Sequence, residues 1–228
     1  MNIEILRDKT REELFFLINR DIGKFNDLKR KLNLQSNELT YHIKKLISAN
    51  LIEKIDSKYK LTEQGKNIFP FRKSVTQKEM PAMAVVAVII LDKDMVFMRI
   101  KDNEPWKGTI GFHGGTIRHG EDIFKAAERK AMEECSATLS DLKLRGISDT
   151  KLYGKKEIKQ HWLVYIFTAK SKNPTNGQWY SLKKLPKNLF VDNKYFLTHV
   201  IKSKKLKYYQ LMFDEANKNN AQVIRIVQ

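Results

Sequence analysis

The segment GGTIRHGEDIFKAAERKAMEEC, residues 114–135, constrains the fold more than any other part of the chain. Gly115 is followed after five residues by Glu121, after seven more by Arg129, and then by the adjacent pair Glu133–Glu134. The second half of the segment is predicted to be helical, and neighbouring carboxylates on a helix are typical of metal-binding sites. The segment therefore predicts a glycine turn followed by a helix with a charged face.

This spacing resembles the signature of the Nudix family, which reads Gly, five residues, Glu, seven residues, then Arg-Glu-apolar-x-Glu-Glu-x-Gly-apolar. Trp106, the sequence GFHGG and the later segment WYSLKKLP also resemble that family. The resemblance covers residues 82–201 and implies an α/β/α sandwich around a mixed sheet. It further implies hydrolysis of nucleoside diphosphates linked to another group, with Mg²⁺ or Mn²⁺ as the cofactor. The apolar runs AMAVVAVIILDKD, MVFMRIK and HWLVYIFTA are expected to be strands of this sandwich.

The resemblance also assigns roles to individual residues. It implies that Glu133 and Glu134 bind metal together with the carbonyl of Gly114, and that an ion pair between Glu121 and Arg129 fixes the helix. The candidate catalytic residues are therefore Glu133, Glu134, Arg129 and Glu121. The candidate ligand-binding residues are Gly114, Gly115, His113 and Lys130. His113 stands where the family usually has proline, and a packed or solvated histidine is an equal alternative for it.

Two residues depart from the family pattern: Lys130 replaces a glutamate that binds metal or activates water, and Ser136 replaces a glycine. At about 100° per residue, Glu133 and Glu134 each lie within about 60° of Lys130 around a helix. The lysine ammonium is therefore expected to pair with both carboxylates and to compete with a metal ion. A protonated lysine cannot act as a general base. Glu157 is a candidate replacement carboxylate, with an ordinary surface glutamate as the alternative.

The first 70 residues predict a smaller domain with the features of a DNA-binding fold. Apolar stripes mark three helices, and the third is expected to bury Leu39, Ile43, Leu46 and Ile47. The segment LIEKIDSKYKLT then alternates as a short hairpin. Three helices followed by a hairpin resemble the α+β winged helix-turn-helix of prokaryotic repressors, over residues 8–69.

The polar face of the third helix is expected to contact double-stranded DNA, with lysines of the hairpin beside it. Ser36 is expected to cap this helix and His42 to be an ordinary surface residue. The alternative is a winged helix that serves only protein contacts or dimerisation. The candidate DNA-binding residues are Asn37, Thr40, Tyr41, Lys44, Lys45 and Lys58.

Charge and composition bound the remaining possibilities. The formal net charge of +17 favours a polyanionic partner, but residues 1–80 hold 17 Lys and Arg against 11 Asp and Glu, and the rest holds 26 against 15. The basic character is therefore spread over both parts, as in a lysine-rich solvated surface. One cysteine, no apolar run of about 20 residues and no visible export signal predict a soluble cytoplasmic protein.

The predicted organisation is a winged-helix domain at 1–70, a linker at 71–81, a Nudix-like domain at 82–201 and a C-terminal extension at 202–228. In the extension, AQVIRIVQ alternates like an added strand that could build a homodimer interface. The favoured function is a transcriptional regulator whose Nudix-like domain binds an ADP-ribose-like nucleotide with weak or no hydrolysis. The alternatives are a metal-dependent Nudix hydrolase with an appended winged helix, and a scaffold that only dimerises.

Overall fold

The computed structural model describes residues 3–72, 80–102, 106–154, 157–201, 203, 205–214 and 221–227. The chain divides into two compact units, Met1–Pro81 and Ala82–Gln228. Most of the predicted linker, residues 73–79, lies outside the described residues. Each unit has its own apolar core, so each is described by itself.

Helices followed by a hairpin make up the first unit. A 3₁₀ turn at Ile3–Arg7 precedes α1 (Lys9–Asn19), α2 (Phe25–Leu32) and α3 (Ser36–Ser48), and strands β1 (Ile52–Ile55) and β2 (Lys58–Leu61) form an antiparallel hairpin before the short helix α4 (Glu63–Ile68). The chain between α1 and α2 adds to the hairpin, because the Tyr59 N–H donates to the Gly23 carbonyl at 2.8 Å. A Cβ on Gly23 would lie 2.1 Å from the Tyr59 carbonyl oxygen, so this close approach requires glycine.

Three expectations for α3 were wrong. Ser36 is the first helical residue rather than the cap, which is Gln35 and makes no side-chain capping hydrogen bond. Ile47 is 42% exposed, whereas His42 is buried with its Nδ1 3.7 Å from Asp8 Oδ1. The buried face of α3 is thus rotated from the apolar stripe toward His42, because the polar N-terminal end of α1 lies beside it.

One mixed sheet, of nine strands in the described residues, forms the second unit. Its strands are β3 (Met83–Asp92), β4 (Met95–Ile100), β5 (Ile110–Gly111), β6 (His113–Thr116), β7 (Ser140–Gly154), β8 (Glu157–Lys170), β9 (Gln178–Ser181), β10 (Lys207–Asp214) and β11 (Ala221–Val227). The order is β11-β10-β7-β8-β3-β4-β5, with β6 also pairing to β3 and β9 to β4. Strands β3 and β8 pair in parallel, as do β10 and β7. The mixed α/β fold predicted from the sequence is confirmed.

Helices cover both faces of this sheet, because successive residues of the central strand β3 point to opposite sides. Val86, Val88 and Ile90 face the helix α5 (Ile123–Cys135). Ile89 belongs to the other core, which is closed by α6 (Val191–Tyr195) and the π-helical turn Phe196–Val200 that continues it. The glycine turn at the end of β6 leads into α5, so this packing fixes where the charged face of α5 lies.

The sequence did not predict β7 or β10, and it placed only part of β8. Strand β10 pairs with β7, and β11 pairs with β10, so the C-terminal extension continues the sheet of the second unit. The strand expected from AQVIRIVQ is present as β11. None of the helices in the described ranges has both the length and the apolar character that a membrane-spanning segment needs.

Candidate functional site

The helix α5 is held at both ends and packs closely on the sheet. Asp122 caps its N-terminus by accepting from the N–H groups of Phe124 and Lys125. Ser136 ends it in the left-handed conformation with φ of 50°, which is where the family pattern has glycine. The face toward the sheet carries small, fully buried side chains: Ala126, Ala127, Ala131 and Cys135. Because these side chains are small, the helix lies close to the sheet and its polar face lies near β6.

Arg129 and Glu121 form a two-pronged ion pair between α5 and the preceding loop. Arg129 Nε and Nη2 donate to the two carboxylate oxygens of Glu121, each at 2.6 Å, and Nη2 also donates to the carbonyl of Thr116 at 3.1 Å. The Arg129 guanidinium lowers the pKa of Glu121 to about 2, and the hydrogen bond to Glu121 raises the pKa of Arg129. This pair fastens the loop to the helix, in the manner that the resemblance implies.

Glu133 is surrounded by three cations. Lys130 Nζ lies 2.9 Å from one carboxylate oxygen, while Arg118 Nη2 and Arg129 Nη1 lie 3.1 and 3.2 Å from the other. The Lys130 ammonium and then the Arg129 guanidinium lower the pKa of Glu133. The Lys130 side chain crosses the glycine turn, since its Cε lies 2.8 Å from where a Cβ on Gly115 would be. Lys130 was expected to pair with both Glu133 and Glu134, and the structure gives an ion pair with Glu133, whereas the contacts of Glu134 are with other residues.

Glu134 points the other way, toward the glycine turn and β4. Its Oε2 accepts from the Gly114 N–H at 3.1 Å and lies 3.4 Å from Arg99 Nε and 3.8 Å from His113 Nδ1. A Cβ on Gly114 would lie 2.1 Å from the Val86 carbonyl oxygen, so the turn passes β3 too closely for any other residue. Arg99 and Arg118 were not expected from the sequence, because only the folded sheet and loop bring them to α5.

These residues form one set, called here the charge cluster: Glu121, Glu133, Glu134, Arg99, Arg118, Arg129 and Lys130. Hard divalent cations need several oxygen ligands. In the cluster both candidate metal carboxylates, Glu133 and Glu134, already contact cationic side chains. Across the described residues, no three His, Cys, Asp or Glu side chains are grouped so that they could hold a metal ion. The donor set, including the predicted contribution of Gly114, does not fit a Mg²⁺ or Mn²⁺ site of the kind the resemblance implies.

A cavity of about 300 Å³ opens beside Glu134. One part of its wall is aromatic, with Trp106 4.7 Å from Phe190 and 6.5 Å from Trp162 between ring centroids. Its other wall is polar and contains Arg99, Lys101, Asp102, His113, Gly114, Gly115, Glu134, Thr150, Asp192 and Asn193. The cavity thus joins an aromatic end to a charged end.

Three ionisable groups of the cavity have shifted pKa values. Burial lowers the pKa of Lys101, whose Nζ donates to the Phe112 carbonyl at 2.6 Å. Burial, with the nearby Lys101 and Arg99, lowers the pKa of His113 to about 3, so its ring is neutral. Burial raises the pKa of Asp192 to about 7. Perturbed groups in a cleft mark a candidate functional site.

The predicted ligand-binding residues are divided by this geometry. Gly114, Gly115 and His113 line the cavity, and His113 is fully buried and stacked on Phe97 at 5.4 Å. Lys130 is in the charge cluster rather than in the wall of the cavity. Glu157 is 80% exposed and lies 3.8 Å from Lys159, outside both the cluster and the cavity wall, as in the surface alternative.

The candidate DNA-binding residues share the solvent-facing side of the first unit. Asn37, Tyr41, Lys44 and Lys45 are exposed on α3, while Thr40 and Lys58 are half-buried. Lys45 Nζ lies 5.5 Å from the centre of the Tyr41 ring, as a cation–π pair. The Thr40 hydroxyl donates a hydrogen bond within α3, to the Ser36 carbonyl at 2.7 Å.

The sequence matches the family model of the NUDIX domain over residues 80–200, which is more than half of the chain. The chain belongs to the NUDIX family. No curated protein matches the chain. NUDIX hydrolases generally use divalent metals such as Mg²⁺ or Mn²⁺.

Solved structures similar to this chain include the following three, and the likeness to the first, with a TM-score above 0.5, supports the fold. The mutator MutT protein from Bacillus halodurans is 20% identical, with a TM-score of 0.53 over 64% of this chain and 96% of that one. The MutT NUDIX hydrolase from Burkholderia pseudomallei is 20% identical, with a TM-score of 0.47 over 53% and 99%. The NUDIX domain of Shewanella oneidensis NrtR, complexed with ADP ribose, is 15% identical, with a TM-score of 0.43 over 54% and 88%.

Proposed function

We propose that this chain is a cytoplasmic DNA-binding transcriptional regulator whose NUDIX domain binds an ADP-ribose-like nucleotide with weak or no hydrolysis. In this proposal residues 1–70 are a winged helix, 71–81 a linker, 82–201 the ligand domain and 202–228 an extension that serves a homodimer. The ligand has different affinities for the DNA-bound and the DNA-free states of the protein, so its binding changes the affinity of the protein for DNA.

The observation that carries the proposal is the ion pairing of Glu133 with Lys130, Arg118 and Arg129. Cleavage of a diphosphate by a metal-dependent route needs carboxylates free to hold the ion and a group to activate water. Here Lys130 occupies the position of the expected glutamate, and cationic side chains already surround Glu133, one helical turn away. These contacts favour binding over cleavage.

The cavity supports a nucleotide as the ligand class. Its aromatic end, with Trp106, Trp162 and Phe190, offers flat apolar surfaces of the kind on which a base packs. Its charged end offers Arg99 and Lys101 beside the glycine turn, and cationic side chains suit phosphate oxygens. A molecule with a base at one end and a diphosphate next to it matches both.

The first unit supports DNA as the partner. Helix α3 exposes Asn37, Tyr41, Lys44 and Lys45 on one side, which are types that contact bases and phosphates in a major groove. The hairpin β1–β2, which follows α3 in the sequence, carries Lys54, Lys58 and Lys60. The three helices and the hairpin, with a backbone bridge between Lys24 and Lys58, support the proposal of a winged helix.

The test combines binding, turnover and DNA affinity. Full-length protein should bind ADP-ribose, cleave it far more slowly than about 1 per second, and shift DNA from upstream of its own gene at low salt. The Glu134→Gln variant should leave the residual turnover of ADP-ribose little changed. Wild-type turnover at ordinary enzyme rates with Mg²⁺, abolished in Glu134→Gln, would replace the regulator with the hydrolase alternative. Absence of any DNA shift at low salt would exclude the repressor role.

A further inference from the structure

Several hydrogen-bond donors in the cavity wall have incomplete partners. Arg99 Nε makes no hydrogen bond to any residue that the structure describes, although it is buried and lies 3.4 Å from Glu134. The two terminal nitrogens of Arg99 reach Asp102 only at 3.4 and 3.5 Å. Within the described part of the chain Lys101 Nζ donates one hydrogen bond, to Phe112, and an ammonium carries three N–H groups. Buried donors without acceptors are costly, so their concentration in one cavity indicates a ligand that supplies acceptors.

Arg99 and Lys101 are brought to the same wall by strand geometry. Arg99 lies in β4 and Lys101 directly follows it, two residues on, and alternate residues of an extended chain point to the same side. Ile100, between them, faces the opposite way and is 58% exposed. Lys101 is held in place by the close passage of Gly111, where a Cβ would lie 2.9 Å from Lys101 Cε. Lys101 is therefore pre-positioned rather than a flexible surface charge, and Arg99 lies on the same wall.

We infer that Arg99 and Lys101 form a metal-independent binding site for the oxygens of a diphosphate. This inference rests on the proposed function for the class of ligand, and it names the residues that replace the divalent ion. The diphosphate oxygens accept from Arg99 Nε and the remaining N–H groups of Lys101, while the base lies against the aromatic end. The two side chains then supply the positive charge that a metal ion supplies in metal-dependent NUDIX hydrolases.

The acids of the same wall are compatible with an anion. Glu134 Oε2 already accepts from the Gly114 N–H, and Asp102 lies against the terminal nitrogens of Arg99. Asp192 is buried, and because burial raises its pKa to about 7, much of it is uncharged near neutral pH. The long contacts of Arg99 with both Glu134 and Asp102 leave it able to turn toward stronger acceptors.

Calorimetric titration of the full-length chain in EDTA tests the site, with inorganic pyrophosphate and ADP-ribose as separate probes. Wild type should bind both without metal. Lys101→Met and Arg99→Met should each weaken binding by about tenfold or more, because hydrogen bonds to charged groups are the strong ones. The matched controls are Lys151→Met and Arg145→Met. Both residues are part-buried on β7 and lie outside the cavity wall, where Lys151 is ion-paired with Asp149 and Arg145 donates a hydrogen bond to Thr168. They should bind like wild type.

The outcomes separate this inference from the proposed function. Pyrophosphate binding that depends on Lys101, without binding of ADP-ribose, supports the anion site and overturns the nucleotide-sensing proposal. Binding that requires added Mg²⁺, or no binding of either probe in EDTA, overturns the anion site. Wild-type affinity in both cavity variants, with melting temperatures showing that they are folded, overturns it as well.

Discussion

Replacing Lys130 with glutamate converts the charge cluster from cationic to anionic. The cluster has four cations and three carboxylates, so its formal net charge is +1. The substitution removes one cation and adds one carboxylate, which gives −1. The change occurs 2.9 Å from a carboxylate oxygen of Glu133 and directly over the glycine turn at Gly115.

A carboxylate in this place supplies what the donor set lacks. Residue 130 lies one turn before Glu133 and Glu134, so three carboxylates would share one face of α5. Glu133 would keep Arg118 and Arg129 as partners but lose its contact with Lys130. We expect Mg²⁺-dependent cleavage of ADP-ribose to rise by about 10²-fold, the lower end of what a positioned general base contributes.

The assay is phosphate release from ADP-ribose, coupled to a phosphatase, over a titration of Mg²⁺ and of Mn²⁺. Lys130→Met removes the cation without adding a ligand and should gain little. Lys125→Glu makes the same charge change at an exposed position of α5 outside the cluster and should gain nothing. No gain in Lys130→Glu, or an equal gain in Lys125→Glu, would refute the reasoning.

Four further substitutions test other parts of the structure. Ser136→Gly should stabilise the fold by about 1 kcal/mol and raise the melting temperature by about 2–4 °C, because glycine adopts the left-handed conformation without strain. Arg129→Met should lower the melting temperature at neutral pH. That deficit should shrink as pH falls from 4.5 toward about 2, because Glu121 has a depressed pKa and its stabilisation is lost in that window; a deficit unchanged at low pH would contradict the pairing. Lys44→Ala and Lys45→Ala should each weaken DNA binding in gel shifts and reduce its salt slope by about 1, and unchanged slopes would contradict phosphate contact.

Local patterns in the sequence predicted the charged helix well. Gly115, Glu121 and Arg129 lie close together in the chain, so their spacing alone indicates a turn and a helix with a fixed relation. The pairing of Lys130 with Glu133 followed from one helical turn. The spacing also predicted the mixed α/β fold through its resemblance to the family.

Contacts between distant segments were not predictable in the same way. Arg99 and Lys101 come from the end of β4, and Asp192 comes from α6, so only the packed sheet brings them to one cavity. Strand β7 was missed because polar residues and Gly146 interrupt its apolar pattern. His42 was misjudged because its burial depends on the position of α1, which the periodicity of α3 does not contain.

The central claim is that the NUDIX domain binds a diphosphate ligand with weak or no hydrolysis. A ³¹P NMR experiment on ADP-ribose with an equal amount of wild-type protein, in Mg²⁺, reports binding and cleavage together. The claim predicts that both phosphorus resonances shift or broaden and then persist unchanged over hours. Growth of the monophosphate signals of AMP and ribose 5-phosphate within minutes would contradict it.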